Sequence, residues 1–321
     1  MLENFSKLIQ IDEKWISKYL VDHGITDTPK LKIRAYSVAF SGTQQEHTDL
    51  IYYLVNNIEK YVFNESKIKE IKQSGKIPYR EASKLFGDVN PQTDGKYGEL
   101  MLFCLVEALL KVPMIAHKLP ILTNPNDQVK GSDGIFMGQY GDKQALFIGE
   151  SKIKTERSKA ISESLKSINK FHGDLSSGSK LHHELFIARE NLVNKLKDEE
   201  YEEVYQHIHK SLIPSSKEYK EKIKVHPILI VYQCNKINEI EKVGLDNKEC
   251  EVLISSYMKT EKENIEIYLN KLLNKEYPNL RSIYFDFFFI PIKEVNKFRD
   301  EFYYQIHLTP YKYKDGDLDE K

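Results

Sequence analysis

The chain has 321 residues, 40% of them hydrophobic and 30% charged, so it can bury one large core or two modest ones. Its 47 basic and 48 acidic side chains nearly cancel, which excludes binding of nucleic acid through net charge and requires any such contact to be local. Cys104, Cys234 and Cys250 are isolated, which argues against a disulfide framework and gives no zinc spacing. No apolar run approaches the roughly 20 residues that cross a bilayer, and acids stand where a signal peptide is basic and apolar, which indicates a cytoplasmic protein.

The amino-terminal part predicts an α/β lobe. Residues 31–42 are typical of a strand, and residues 43–64 of a long amphipathic helix. Turn-forming residues between 73 and 94 indicate a connector. We therefore expect a first domain at residues 1–90.

Residues 98–110 predict a buried helix. They are apolar nearly all round at 100° per residue, and Glu99, Glu107 and Lys111 form the polar strip. Glu99 lies in the first turn, where the helix dipole favours a carboxylate. Glu99 is therefore either a stabilising N-terminal charge or a third acid for a site on the strands that follow.

Two strands joined by a tight turn come next. Residues 135–140 and 145–148 are rich in aromatic and branched side chains, and Gly141-Asp142 between them is typical of a two-residue hairpin loop. This loop places Asp133 directly opposite Glu150, whereas a loop longer by one residue would shift that pairing.

The hairpin gathers side chains that suit phosphodiester chemistry. Glu150 and Lys152 share a face because strand side chains alternate, while Ser151 points the other way. Opposed carboxylates destabilise a sheet unless their charge is offset. Mg²⁺ is commonly held by one or two carboxylates with waters and substrate phosphate. A lysine beside it could steady the attacking water or the developing charge.

The alternative is a solvated strand face, since short D…ExK matches arise by chance in a highly charged chain. Two observations favour a site. Residues 145–149 are apolar on both faces, as in a buried central strand where unpaired charges are costly. The hairpin register also brings the two acids together.

A basic helix is predicted after the triplet. Lys154, Arg157, Lys159, Lys166 and Lys170 lie beside an apolar stripe of helical spacing. Their position next to the predicted site makes Lys154, Arg157 and Lys159 candidates for phosphate contacts. A solvated lysine face is the alternative.

The carboxyl-terminal half supplies the rest of a core that we place at residues 91–311. Its predicted elements are a helical insertion at 181–212, apolar strands at 225–234 and 281–292, a helix at about 256–274, a covering helix at 293–307 and a charged tail at 312–321.

The motifs together resemble the PD-(D/E)xK nuclease superfamily. The resemblance is carried by Gly98-Glu99 at the start of an apolar helix, by Ser132-Asp133-Gly134, and by Gly149-Glu150-Ser151-Lys152 before a basic helix, over about residues 95–170. Within the superfamily the pattern is similar to the DUF1837, or HamA, family of the bacterial Hachiman antiphage system. Ser132 stands where the superfamily has a proline.

The resemblance implies an α/β (α+β) restriction-endonuclease-like core with a mixed sheet flanked by helices. It implies a Mg²⁺-dependent (or Mn²⁺-dependent) DNA nuclease that works with a superfamily 2 helicase of the HamB type. Carried over residue by residue, Asp133 and Glu150 would be metal ligands, Lys152 the catalytic lysine, and Glu99 the helix acid and a further ligand. The competing class is a catalytically silent interaction module of the same fold that recruits or restrains the helicase.

Overall fold

The structure is a computed structural model that describes residues 6–63, 65–117, 132–173, 180–190, 192 and 202–314. Among these residues, no helix is both long and apolar enough to cross a membrane.

The described elements follow one another along the chain as strands and helices in mixed order. The strands are β1 (Leu20–Thr28), β2 (Leu31–Val38), β3 (Phe40–Ser41), β4 (Gln44–Gln45), β5 (Met114–Ala116), β6 (Ile135–Tyr140), β7 (Lys143–Ile148), β8 (Glu150–Lys154), β9 (Ile223–Gln233) and β10 (Tyr284–Ile292). The helices are α1 (Lys14–Tyr19), α2 (His47–Asn56), α3 (Ile58–Val62), α4 (Glu65–Gln73), α5 (Pro78–Lys84), α6 (Lys96–Leu105) with a π-helical turn (Val106–Leu110), α7 (Arg157–His172), α8 (Lys180–Glu190), α9 (Glu202–Ser211), α10 (Lys217–Lys220), α11 (Asn235–Val243), α12 (Asn247–Lys275), a 3₁₀ turn (Pro278–Ser282) and α13 (Val295–His307).

One mixed sheet of eight strands organises the molecule, in the order β1-β2-β10-β9-β7-β6-β5, and β8 also pairs with β9. The pairs β2–β10, β10–β9, β7–β9 and β8–β9 are parallel, and the remaining pairs of this sheet are antiparallel. Ala145 lies opposite Ile223 and Glu150 opposite Ile228. Because this register is unbroken, β7 and β8 are two halves of one strand interrupted at Gly149. The predicted α/β fold with a mixed sheet flanked by helices is confirmed.

The predicted hairpin is also confirmed. Tyr140 pairs with Lys143 and Ile135 with Ile148, in an antiparallel ladder without a shift. Gly141 in the loop has a φ of 63°, a left-handed conformation that glycine adopts without strain. The ladder ends at Ile135, so Asp133 lies just beyond it.

Helices cover both faces of the sheet. On one face α2, α3, α6 and α13 bury an apolar cluster against β7, β9 and β10. On the other face α7, α11 and α12 cover β2, β9 and β10, while α8 and α9 cover β5, β6 and β7. The central strands β9 and β10 are buried on both sides, which explains their almost continuous apolar sequences.

Two predicted segments of the amino-terminal part differ in the structure. The expected long helix at 43–64 is wrong, because it starts at His47 and divides at Asn57, whose side-chain Nδ2 donates to the carbonyl of Tyr53 at 2.9 Å. The expected connector at 73–94 contains helix α5, which Pro78 opens in a position that needs no N–H donor.

The amino-terminal segment is joined to the core by strand pairing. Its strands β1 and β2 belong to the main sheet, because β2 pairs with β10. The domain limits at 90 and 311 stay a prediction. The expected helices of the 181–212 insertion appear as α8 and α9. Most of the expected tail at 312–321 lies outside the described residues.

Candidate active site

The break between β7 and β8 brings Asp133 beside Glu150. At the break the Gly149 N–H donates to the carbonyl of Gly134 at 2.8 Å, and the Asp133 N–H donates to the carbonyl of Gly149 at 3.0 Å. A Cβ at Gly149 would lie 2.9 Å from Leu102 Cδ2 and 3.3 Å from the Gly134 carbonyl oxygen. A side chain at this position would therefore displace Leu102 and crowd the Gly134 carbonyl, where α6, the strand and the segment before β6 approach one another.

Ser151 fixes the orientation of Asp133. Its backbone N–H and its Oγ–H both donate to Asp133 Oδ2 at 2.7 Å. Ser151 faces α6, where a Cβ at Gly98 would lie only 2.9 Å from Ser151 Oγ. The Gly98-Glu99 motif and the Glu150-Ser151-Lys152 motif are thus in direct contact, and Gly98 leaves the room that Ser151 needs to hold Asp133.

Glu150 and Lys152 project on the other face of the strand, as predicted from the alternation of side chains. The Lys152 ammonium donates to Glu150 Oε1 and, at 3.2 Å, to the carbonyl of Ser151. Ser167 on α7 donates its hydroxyl to Glu150 Oε2 at 3.1 Å. Glu150 is only 3% exposed, so these contacts replace the water that a carboxylate would otherwise bind.

Asp133 acts electrostatically on both Glu150 and Lys152. Burial and then the charge of Asp133 raise the pKa of Glu150 to about 7, while Lys152 and Ser167 oppose the rise. Burial lowers the pKa of Lys152, but the carboxylates of Glu150 and Asp133 outweigh burial and raise it overall. The lysine therefore stays protonated at neutral pH, whereas the charge of Asp133 disfavours the charged form of Glu150.

Glu99 of α6 and Asp133 both act on the Tyr61 hydroxyl. Glu99 is 4% exposed, and its Oε2 accepts a hydrogen bond from the Tyr61 hydroxyl at 3.1 Å. Burial, the charge of Glu99 and then the charge of Asp133 raise the pKa of Tyr61 well above its ordinary value. Glu99 and Asp133 thus both act on Tyr61, and Asp133 also acts on Glu150.

The acids suit a metal site that is completed by water and phosphate better than one made only of protein side chains. No group of three or more His, Cys, Asp or Glu side chains in the described residues is arranged to hold a metal ion. Asp133 and Glu150 are nevertheless buried carboxylates that repel each other, and Mg²⁺ takes one or two carboxylates with waters and phosphate. The chemistry of these donors suits Mg²⁺, and the metal and the ligand roles of Asp133, Glu150 and Glu99 all stay predictions.

The candidate phosphate contacts differ in their availability. Lys159 is exposed on α7. Lys154 pairs with Glu163 at 3.1 Å, and Arg157 forms an ion pair with Glu261 of α12. A phosphate that binds Arg157 would have to compete with that carboxylate.

Sequence reasoning missed three residues around the site. Tyr61 contacts Glu99, Ser167 contacts Glu150, and Glu184 of α8 accepts a hydrogen bond from the Ser132 N–H at 3.1 Å. Ser167 lies on the basic helix that the sequence predicts after the triplet, but no sequence pattern connects any of the three residues with its partner.

The HamA family model matches residues 10–306, nearly the whole chain. No curated protein matches the chain.

Proposed function

Because the chain belongs to the HamA family, which supports a role in Hachiman antiphage defence, we propose that it is a metal-dependent DNA nuclease. In this proposal it hydrolyses phosphodiester bonds as the effector of a defence complex. A partner helicase controls its activity.

One observation carries the catalytic part of the proposal. Asp133 and Glu150 are 8% and 3% exposed, and the charge of one raises the pKa of the other. Two buried carboxylates in such proximity are costly without a cation, and Lys152 supplies only one positive charge. A structural role would be met at lower cost by apolar side chains, whereas a divalent cation offsets the repulsion.

The side chains divide the work of hydrolysis. A bound Mg²⁺ supplies Lewis-acid chemistry for a phosphate oxygen and a water. Asp133 and Glu150 would hold it, and Ser151 keeps the Asp133 carboxylate oriented. The Lys152 ammonium, protonated and fixed against Glu150, lies ready to stabilise negative charge that develops on the phosphate. Lys159, Lys154 and Arg157 would contact the DNA backbone.

The test is cleavage of linear and circular DNA by the purified chain with Mg²⁺, with Mn²⁺ and with a chelator. Asp133→Ala, Glu150→Ala and Lys152→Ala should each abolish cleavage while circular dichroism stays unchanged, and double variants should be no worse, because the three residues act as one unit. Glu239→Ala, which removes an exposed acid paired with Lys236, is the matched control and should cleave normally.

A single-site variant that cleaves like wild type would show that its residue has been misassigned. Wild-type protein that binds the metal but cleaves no DNA would favour the interaction module.

The regulatory part rests on what the sequence lacks. No G-x-x-x-x-G-K-[ST] motif occurs, and the net charge is −1, so neither an ATP cycle nor net charge selects the substrate. Selection and restraint would then come from the helicase. Cleavage should be low in the purified complex and should rise with ATP. If the complex does not form, or if ATP changes nothing, the regulatory part of the proposal fails.

A further inference from the structure

Arg299 of α13 joins the two segments that carry the acidic residues. Its Nη2 donates to the carbonyl of Ile153 in β8 at 2.8 Å. Its Nη1 donates to the carbonyls of Pro91 at 2.8 Å and Asp94 at 3.2 Å, in the segment that leads into α6. One guanidinium thus connects the strand of Glu150 to the start of the helix of Glu99.

The burial of this guanidinium is costly. Arg299 is 7% exposed, and its three hydrogen-bond acceptors are neutral carbonyls. Burial lowers its pKa, while the charges of Asp94 and Asp300 act in the opposite direction. Asp94 is itself held by the N–H of Lys96 at 2.9 Å and by its ammonium at 3.4 Å. Well-packed apolar side chains commonly replace buried charges without loss of stability, so packing alone does not account for Arg299.

The planar shape of the guanidinium explains why an arginine occupies this position. A planar guanidinium directs its N–H groups to several acceptors at fixed angles, which neither lysine nor an apolar residue reproduces. Ile153 directly follows Lys152, and Asp94 directly precedes the N-cap residue of α6. The same two elements touch where Gly98 meets Ser151. Arg299 therefore sets the distance between β8 and the start of α6. A small change in that distance would move Ser151, which holds Asp133 by two hydrogen bonds.

We propose that Arg299 is a positioning residue of the active site, which fixes β8 against the start of α6 and thereby holds Asp133 and Glu150 in the arrangement that binds the metal. Its hydrogen bonds go to backbone carbonyls, so it acts through the backbone. This inference rests on the proposed function, because the arrangement matters only if a metal binds there.

Arg299→Lys tests the proposal, since it keeps the charge and removes the fork. Arg34→Lys is the matched control. Arg34 is a half-buried arginine, which donates to both oxygens of Asp286 at 2.6 and 3.0 Å between β2 and β10. Mn²⁺ affinity is measured by calorimetry, DNA cleavage at saturating Mn²⁺, and folding by circular dichroism and thermal unfolding.

We expect both variants to fold with lowered melting temperatures. Arg299→Lys should weaken Mn²⁺ binding about 10- to 100-fold, the usual effect of losing an outer support of a metal site, and should slow cleavage at saturating metal. Arg34→Lys should retain Mn²⁺ affinity and cleavage within about twofold. Arg299→Gln, which keeps donors without the charge, should resemble Arg299→Lys.

Unchanged Mn²⁺ affinity in Arg299→Lys, or an equal loss in Arg34→Lys, would overturn the proposal. Failure of both Arg299 variants to fold would assign Arg299 a structural role and overturn it as well. Wild-type protein that binds Mn²⁺ without cleaving DNA would refute the nuclease, and the affinity comparison would still decide the role of Arg299. Wild-type protein that binds no Mn²⁺ would refute both.

Discussion

Replacing Gly98 with alanine should impair the site while leaving the protein folded. The new Cβ would lie 2.9 Å from Ser151 Oγ and 3.2 Å from Ser151 Cβ, whereas ordinary contacts begin near 3.4 Å. Ser151 would therefore have to retreat by about half an ångström. Its two hydrogen bonds to Asp133, both 2.7 Å long, would lengthen or bend.

The magnitude follows from two opposing effects. Overpacking a buried contact costs roughly 1–3 kcal/mol, and alanine gains about 1 kcal/mol over glycine within a helix. The free energy of unfolding should thus fall by roughly 0–2 kcal/mol. The rate of DNA cleavage should fall by about 10- to 100-fold, because a displacement near 1 Å in a catalytic group can lower the rate about 100-fold.

Urea unfolding and DNA cleavage are measured together. Gly95→Ala is the matched control, because its Cβ would lie 3.6 Å from Glu99 Oε1, an ordinary contact. Gly98→Ala combined with Ser151→Ala removes the closest clash, so the stability losses should be less than additive, although cleavage should stay low. Wild-type cleavage in Gly98→Ala, or an equal loss in Gly95→Ala, would refute the reasoning.

Three further predictions concern cations and protons. Mg²⁺ or Mn²⁺ should raise the melting temperature by mass action, and Glu150→Gln should remove most of that increment; an unchanged increment would place the metal elsewhere. Ser167→Ala removes a hydrogen bond that lowers the pKa of Glu150, so the acidic limb of the pH–cleavage profile should move to higher pH, and an unmoved limb would contradict this contact. Burial lowers the pKa of His47 from 6.5 to about 4. Between these two pH values the unfolded chain binds more protons than the folded chain. The free energy of unfolding should therefore fall by up to about 3 kcal/mol as the pH decreases from 6.5 to about 4. His47→Gln should flatten this dependence in urea unfolding at neutral and acidic pH, and an equally steep dependence would exclude His47 as its source.

The part of the site that lies on the hairpin could be predicted because its pairing is local. A two-residue loop and alternating side chains fix the register from Tyr140 to Ile135, and the position of Asp133 near Glu150 follows. The central strands could also be predicted from the sequence, because a strand that is buried on both faces has a continuous apolar sequence. The roles of Asp133, Glu150, Lys152 and Glu99 stay predictions.

Other features depended on packing between distant segments. Strand β1 alternates between half-buried and exposed residues and contains Gly24, so its sequence resembles a loop until β2 offers it an edge. Ser167 lies 17 residues from Glu150, Tyr61 lies 38 from Glu99, and Arg299 lies 146 from Ile153. A single sequence has no periodicity that connects such pairs.

The pairing of β2 with β10 also has a consequence for the order of folding. Arg34 and Asp286, which join these strands, are 252 residues apart, and such distant pairings form slowly because a long loop must first close. During synthesis the ribosome releases Asp133 and Glu150 long before β10 and α13. The growing chain then carries the acids without the strand that completes the sheet or the arginine that joins β8 to α6. The candidate site can therefore assemble only after β10 and α13 have emerged from the ribosome.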